Sequence, residues 1–118
     1  MDRLKPLLPS LKEKKRYLAF EIISKGRIKA FSEVSKALWA STLSYAGTKG
    51  VARMGMWIFP EQYNAEAQKG LIRVAHRSLD ELRAALALVK QIEDQPVIVR
   101  SLGASGVLAK AEKKYIGG

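Results

Sequence analysis

The side chains in this chain whose types and spacing suit chemistry are nearly all cations. Lys12, Lys14, Lys15 and Arg16 crowd together and run without a break into an alternating aromatic and aliphatic stretch, Tyr17–Ser24. Arg73 and Arg77 stand in a second alternating stretch, Arg100 in a third, and Lys110, Lys113 and Lys114 close the chain. A guanidinium is a planar fork that grips phosphate bidentately, and an ammonium is a compact point charge for the same anion. The first thirty residues hold nine Lys or Arg against three acids, a large part of a net charge of +10. Like charges packed this densely repel one another, so a polyanion is expected to neutralise them, and nucleic acid is the polyanion that suits a soluble domain. Two plainer readings stand beside this one. Glu21 can pair across a sheet with Arg73 or with Arg100, and the lysine clusters can be solvated faces.

No catalytic set can be assembled. The chain has no cysteine and one histidine, His76. Disulfides and zinc-thiolate sites are therefore excluded, and an intracellular, cytoplasmic location is the default. There is no Ser/His/Asp motif and no carboxylate pair at metal-ligand spacing. His76, beside Arg77, reads as a half-buried strand residue rather than a general base. No cofactor is expected on the protein. No apolar run approaches the ~20 residues that span a bilayer, and Lys5, Pro6 and Pro9 interrupt any signal-type apolar core, so no membrane partner is expected. A hydrophobic content of 47% in 118 residues excludes a disordered basic tail and fits one domain with one core.

The elements that must position these cations follow from periodicity. Pro6 and Pro9 make residues 1–10 an extended basic arm. Tyr17–Ser24 reads as a strand with Leu18, Phe20 and Ile22 on one face and Tyr17, Ala19 and Glu21 on the other. Lys25–Ala30 is a basic loop. Ser32 is expected to cap a helix carrying Val34, Ala37, Leu38 and Tyr45, which Gly47 and Gly50 should stop. Gly55–Phe59 and Lys69–Arg77 are further strands. Ser78 and Glu81 have the spacing of a capping box that opens a helix over Leu79–Ile92. Gln95–Leu102 is the last strand, Gly103–Gly106 a turn, and Val107–Tyr115 a short basic helix. The expected fold is α+β, ferredoxin-like or RRM-like: β-α-β-β-α-β, a four-stranded antiparallel sheet with two helices on one face. Residues 11–106 form that domain and 107–118 a basic helical extension.

An RRM reads bases with aromatics on the open face of its sheet. Lys69-Gly70 matches the start of that motif, but Leu71, Arg73 and Ala75 follow where the aromatics belong, and Tyr17 stands alone on the first strand. Base stacking is therefore not expected, and RNA selectivity should come from shape and backbone. The helix over Leu79–Ile92 carries a second apolar stripe, Ala85, Leu88 and Ile92, with small Ala84, Ala85 and Ala87 allowing close approach. That stripe is the candidate surface for a protein partner, while Trp39, Leu43 and Trp57 are mostly core in this reading.

Four blocks carry a resemblance: LKEKKRYLAFEI, KGLIRVAHR, SLDELRAALALV and VIVRSLGASGVLAKAEKKY. In order and spacing they resemble the archaeal ribonuclease P protein component 2 family, over roughly residues 11–115. Val74–Ala75 departs mildly from a small position of that family, which bears on packing. The resemblance implies a protein subunit of the ribonucleoprotein that removes the 5′ leader from precursor tRNA. It implies that the RNA is the catalyst of this endonuclease and holds the magnesium, and that the protein is not catalytic alone. Its implied partners are the catalytic RNA, protein component 3, a second copy of the chain, and precursor tRNA indirectly. Two rivals follow from the residues. One is a free-standing RRM-like RNA-binding module. The other is a small anion-processing enzyme such as acylphosphatase, which has a similar strand order and uses an Arg with an Asn; the sole asparagine here is Asn64.

Overall fold

The computed structural model describes residues 14–117. The expected arm over residues 1–10 lies outside the described residues, as does Lys12. Strand β1 (Lys15–Ser24) lies at the centre of the sheet. It is flanked by β3 (Lys69–Ala75) on one side and β5 (Gln95–Ser105) on the other. Two short strands, β2 (Trp57–Ile58) and β4 (Gln91–Ile92), form the edges. All neighbours are antiparallel. Among the described residues the sheet thus has five strands where four are expected, in an order compatible with a ferredoxin-like layout.

The fifth strand replaces the end of a helix. Helix α2 (Leu79–Ala87) stops well short of Ile92. Gln91 and Ile92 pair with Pro96 and Gln95, and Glu93 and Asp94, at φ 54° and 63°, turn the hairpin between them. Two successive left-handed residues match the right-handed twist of the flanking strands. Helix α1 runs over Phe31–Met54, from Ala30 and not from Ser32, without a side-chain cap. Gly47, at φ 77° and ψ 172°, kinks α1 instead of ending it, and Gly55 at φ 56° closes it in the left-handed region. Strand β3 ends at Ala75 and a 3₁₀ turn, His76–Ser78, leads into α2. Ser78 precedes α2 without a side-chain capping bond, so the expected capping box is not formed.

Alternation in β1 sorts the two faces as expected. Leu18, Phe20 and Ile22 point inward and join Ile72, Val74, Val97, Val99, Val34, Leu38, Leu82 and Leu86 in the main core. The close approach expected of the small α2 residues is made within the chain: Ser41 of α1 donates a 2.7 Å hydrogen bond to the Ala85 carbonyl. Gly70 serves packing. A Cβ there would lie 2.6 Å from Cζ of Phe20, so glycine leaves room for that ring.

The outer face is partly closed. Helix α3 (Leu108–Ala111) continues as a π turn, Glu112–Ile116, and lies on the sheet. Ala111 and Ile116 bury Ala19 and Leu71 in a second cluster with Tyr17, Phe59, Leu102, Leu108 and Tyr115 at its margin. Tyr115 seats over Gly103, where a Cβ would come within 2.6 Å of its Cζ. Gly103 to Ser105 are strand residues of β5 and not part of a free turn. The segment read as an extension is therefore docked onto the domain.

Candidate nucleic-acid interface

The register of β1 sets out the cations. Lys14, Lys15 and Arg16 stand at its amino end. The Lys14 carbonyl accepts a 2.7 Å bond from the His76 backbone N–H, which brings Arg77 to the same end. A Cβ at Gly106 would lie 3.0 Å from Arg16 Nη1, so the guanidinium runs close beside the turn that opens α3. His76 and Arg77 are both exposed. Arg77 lies in the 3₁₀ turn beyond β3, so it does not share a strand face with Arg73. Lys110, Lys113 and Lys114 are exposed on the terminal helix, away from the side that Ala111 and Ile116 press onto the sheet.

Of the two arginines that Glu21 could meet, it pairs with Arg100. Arg100 Nε donates to Glu21 Oε1 at 2.9 Å across the β1–β5 pair. Arg73 lies one strand over, directly opposite both Tyr17 and Trp57. Its Nε is buried and has no hydrogen-bond partner among the described residues. Among them, one arginine of the pair is neutralised and the other is not.

A second basic group escaped the sequence reading as a site. Lys25, Arg27 and Lys29 are all exposed on the loop after β1. That loop is fixed from beneath by Gln68, which is 8% exposed and stands at φ 54°. The Gln68 amide accepts from Ile28 N–H at 2.6 Å and donates to the Ile22 carbonyl at 2.8 Å and to Ser24 Oγ at 3.1 Å. The Gln95 side chain accepts from Gly26 N–H at 3.0 Å, and the Tyr63 hydroxyl donates to the Ile28 carbonyl at 3.2 Å. Burial, with the charge of Glu93 adding to it, holds the Tyr63 phenol above its ordinary pKa, which keeps it a donor. A lone glutamine in a polar loop has no periodicity to announce it. The visible signal was the charge of the loop itself.

The protein-partner stripe does not exist as a surface. Ala85 and Ile92, at 0% and 3% exposure, are buried, and only Leu88 is exposed. Helical spacing put the three together, but Ile92 is a strand residue. Trp57, expected in the core, is half exposed, as is Leu43.

Asn64 spends its side-chain oxygen accepting from Glu66 and Ala67 N–H, both at 3.0 Å, which folds its own loop. Among the described residues no group of three or more His, Asp or Glu is placed to hold a metal ion. Among them, too, no helix is long and apolar enough to cross a membrane. The sheet positions that an RRM uses for bases hold Leu71 and Ala75, both buried.

Fold and charge together define a basic α+β domain with cations gathered at the two ends of its central strand. The profile of the Rpp14/Pop5 family matches residues 16–116, and the chain belongs to that family. It is 36% identical over 115 residues to ribonuclease P protein component 2 of Thermococcus gammatolerans, covering 98% of this chain and 93% of that protein. It is 32% identical to the protein of the same name in Methanocaldococcus jannaschii, covering 99% and 84% of the two chains. A chain in the cryo-EM structure of yeast ribonuclease MRP shares the fold, with a TM-score of 0.62 at 13% identity over 89% of this chain and 87% of that one.

Proposed function

We propose that this chain is a protein subunit of ribonuclease P that supports the catalytic RNA in removing the 5′ leader from precursor tRNA. What carries the reading, beside family membership, is a gathering of cations at one end of a sheet. Lys14 and Arg77 are exposed there, and Lys15 and Arg16 are partly so. Cations so placed neutralise phosphates where RNA helices converge, and so lower the magnesium needed for the RNA to hold its active shape. The magnesium of the reaction resides on the RNA. The protein works with component 3 and a second copy of itself.

The test is cleavage of precursor tRNA by the cognate RNA at limiting magnesium, with this chain alone, component 3 alone, and both. Cleavage restored by the pair is the expected result. No stimulation by the pair, with folded proteins and intact RNA, would favour a free-standing RNA-binding module.

A further inference from the structure

The outer face of the sheet retains one uncovered aromatic. Trp57 and Phe59 fall on that face because Ile58 between them points into the main core. Phe59 is tucked beside the terminal helix, its ring 6.1 Å from that of Tyr17. Trp57 is 50% exposed on the edge strand, and among the described residues neither a ring nor a cation stacks on its indole. Its register partner is Arg73. Directly paired side chains on one face of antiparallel strands stand about 5 Å apart at Cβ. The same row continues from Arg73 to Tyr17 and Ser105, and the next row of that face sets Lys15 opposite Ala75. No carboxylate stands in either row.

We propose that Trp57 and Arg73 form a binding site for one unpaired nucleotide, its base on the indole and its phosphate on the guanidinium. The inference rests on the RNA-subunit reading and adds to it a contact with single-stranded RNA. An open indole face accepts any base, because every base has a π-face to stack. Among the described residues the adjacent guanidinium has no acid of its own to satisfy, unlike Arg100, and an anion beside it supplies the missing charge. A peptide would also value an exposed Trp beside an Arg. The unpaired cation, with Lys15 in the next row, favours a ligand that brings both a plane and a negative charge.

The site differs from the RRM arrangement in place. The central strands, where an RRM stacks its bases, are occupied here by Leu71 and Ala19 under the terminal helix. The stacking surface has moved to the rim, on the two-residue strand β2.

The experiment uses the full chain carrying Trp39→Phe, so that Trp57 alone reports by fluorescence. A short oligoadenylate strand and a blunt RNA duplex are titrated separately, with binding followed independently by anisotropy of labelled RNA. The single strand is expected to quench Trp57 and the duplex to bind without quenching. In the full chain, Trp57→Ala should weaken single-strand binding between about five- and a hundredfold. Trp57→Phe should restore most of that loss, and duplex affinity should not change in either variant. Trp57 is half exposed, so these variants should fold as the parent does, which circular dichroism checks. Single-strand binding with unchanged emission, or equal losses for both RNAs, would overturn the nucleotide site and assign the indole to a protein partner, leaving the phosphate reading standing. Failure of the parent chain to bind either RNA would overturn both.

Discussion

The two ends of β1 carry comparable charge and hold it in opposite ways. At the amino end Lys14, Lys15 and Arg16 extend from regular backbone, with Arg77 brought alongside by one β-type hydrogen bond. Ten strand residues away, about 30 Å at the usual rise, Lys25, Arg27 and Lys29 ride on an irregular loop. The first group needs nothing beyond the sheet to keep its place. The second depends on a buried amide, Gln68, and on backbone groups that the amide satisfies. The loop cations are thus held by hydrogen bonds that cost a great deal to leave unmade, and those at the strand end by a ladder that costs nothing extra. A charged loop can be as well positioned as a strand, provided a polar side chain is buried to hold it.

The sharpest way to break this comparison is Gln68→Ala. It leaves the Ile28 N–H and the Ile22 carbonyl without their side-chain partner, and a buried polar group left unpaired costs about 1–3 kcal/mol. Losing two such bonds should lower stability by about 3 kcal/mol in urea unfolding. Hydrogen exchange should accelerate over residues 25–30 while residues 14–18 keep their protection. Uniform acceleration at both ends would mean that Gln68 supports the whole sheet and that the contrast is unfounded.

Charge removal tests whether both ends meet RNA. Lys14, Lys15 and Arg16 replaced together by Ala should reduce the slope of log affinity against log salt by about 2–3, near one for each phosphate no longer neutralised. Replacing Lys25, Arg27 and Lys29 should do the same if the loop cations also face RNA. Thermal unfolding should be nearly unchanged in the first triple variant, since its side chains are at most partly buried. A slope that does not move in one of the variants assigns that end to solvent or to protein.

How far the sequence disclosed these features depends on what kind of force positions each. Alternation in Tyr17–Ser24 and Lys69–Arg77 places the core strands, because burial of one face imposes period two, but the second strand ends at Ala75 and leaves Arg77 outside it. Leu82, Leu86, Val89 and Ile92 are all buried, but the helical spacing over Leu79–Ile92 conceals the end of α2. Helical spacing continues through Val89 to Ile92 even though the backbone has already turned into a hairpin. The turn residues Glu93 and Asp94 carry no Gly or Asn to mark their positive φ. Gly47 and Gly50 point to a stop because glycine disfavours helix interiors, but α1 is long enough to absorb a kink and continue. Trp57 was misplaced for a different reason: a two-residue strand is too short for alternation to say which face a side chain takes. Gln68 left no pattern at all, since its role is set by the backbone groups that meet it from elsewhere in the chain.

The arginines of the outer face offer the finest test of the contrast. Arg100 and Glu21 form an exposed pair, 61% and 22% accessible at their side chains, and such pairs contribute about 0–1 kcal/mol. Neither Arg100→Gln nor Glu21→Gln should therefore shift the unfolding midpoint appreciably. Their effects on RNA binding should differ. Arg100 is already neutralised by Glu21, so removing both members of the pair together should leave the affinity near that of the parent. Glu21→Gln frees Arg100 and adds positive charge to the face, which should tighten binding a few-fold at low salt and steepen the salt slope by up to about one. Arg73→Gln, by contrast, should weaken binding, because no acid among the described residues competes for that guanidinium. Equal losses from Arg73→Gln and from Arg100→Gln combined with Glu21→Gln would show that the pair opens whenever RNA arrives, and that pairing within the protein is no guide to which arginine is available.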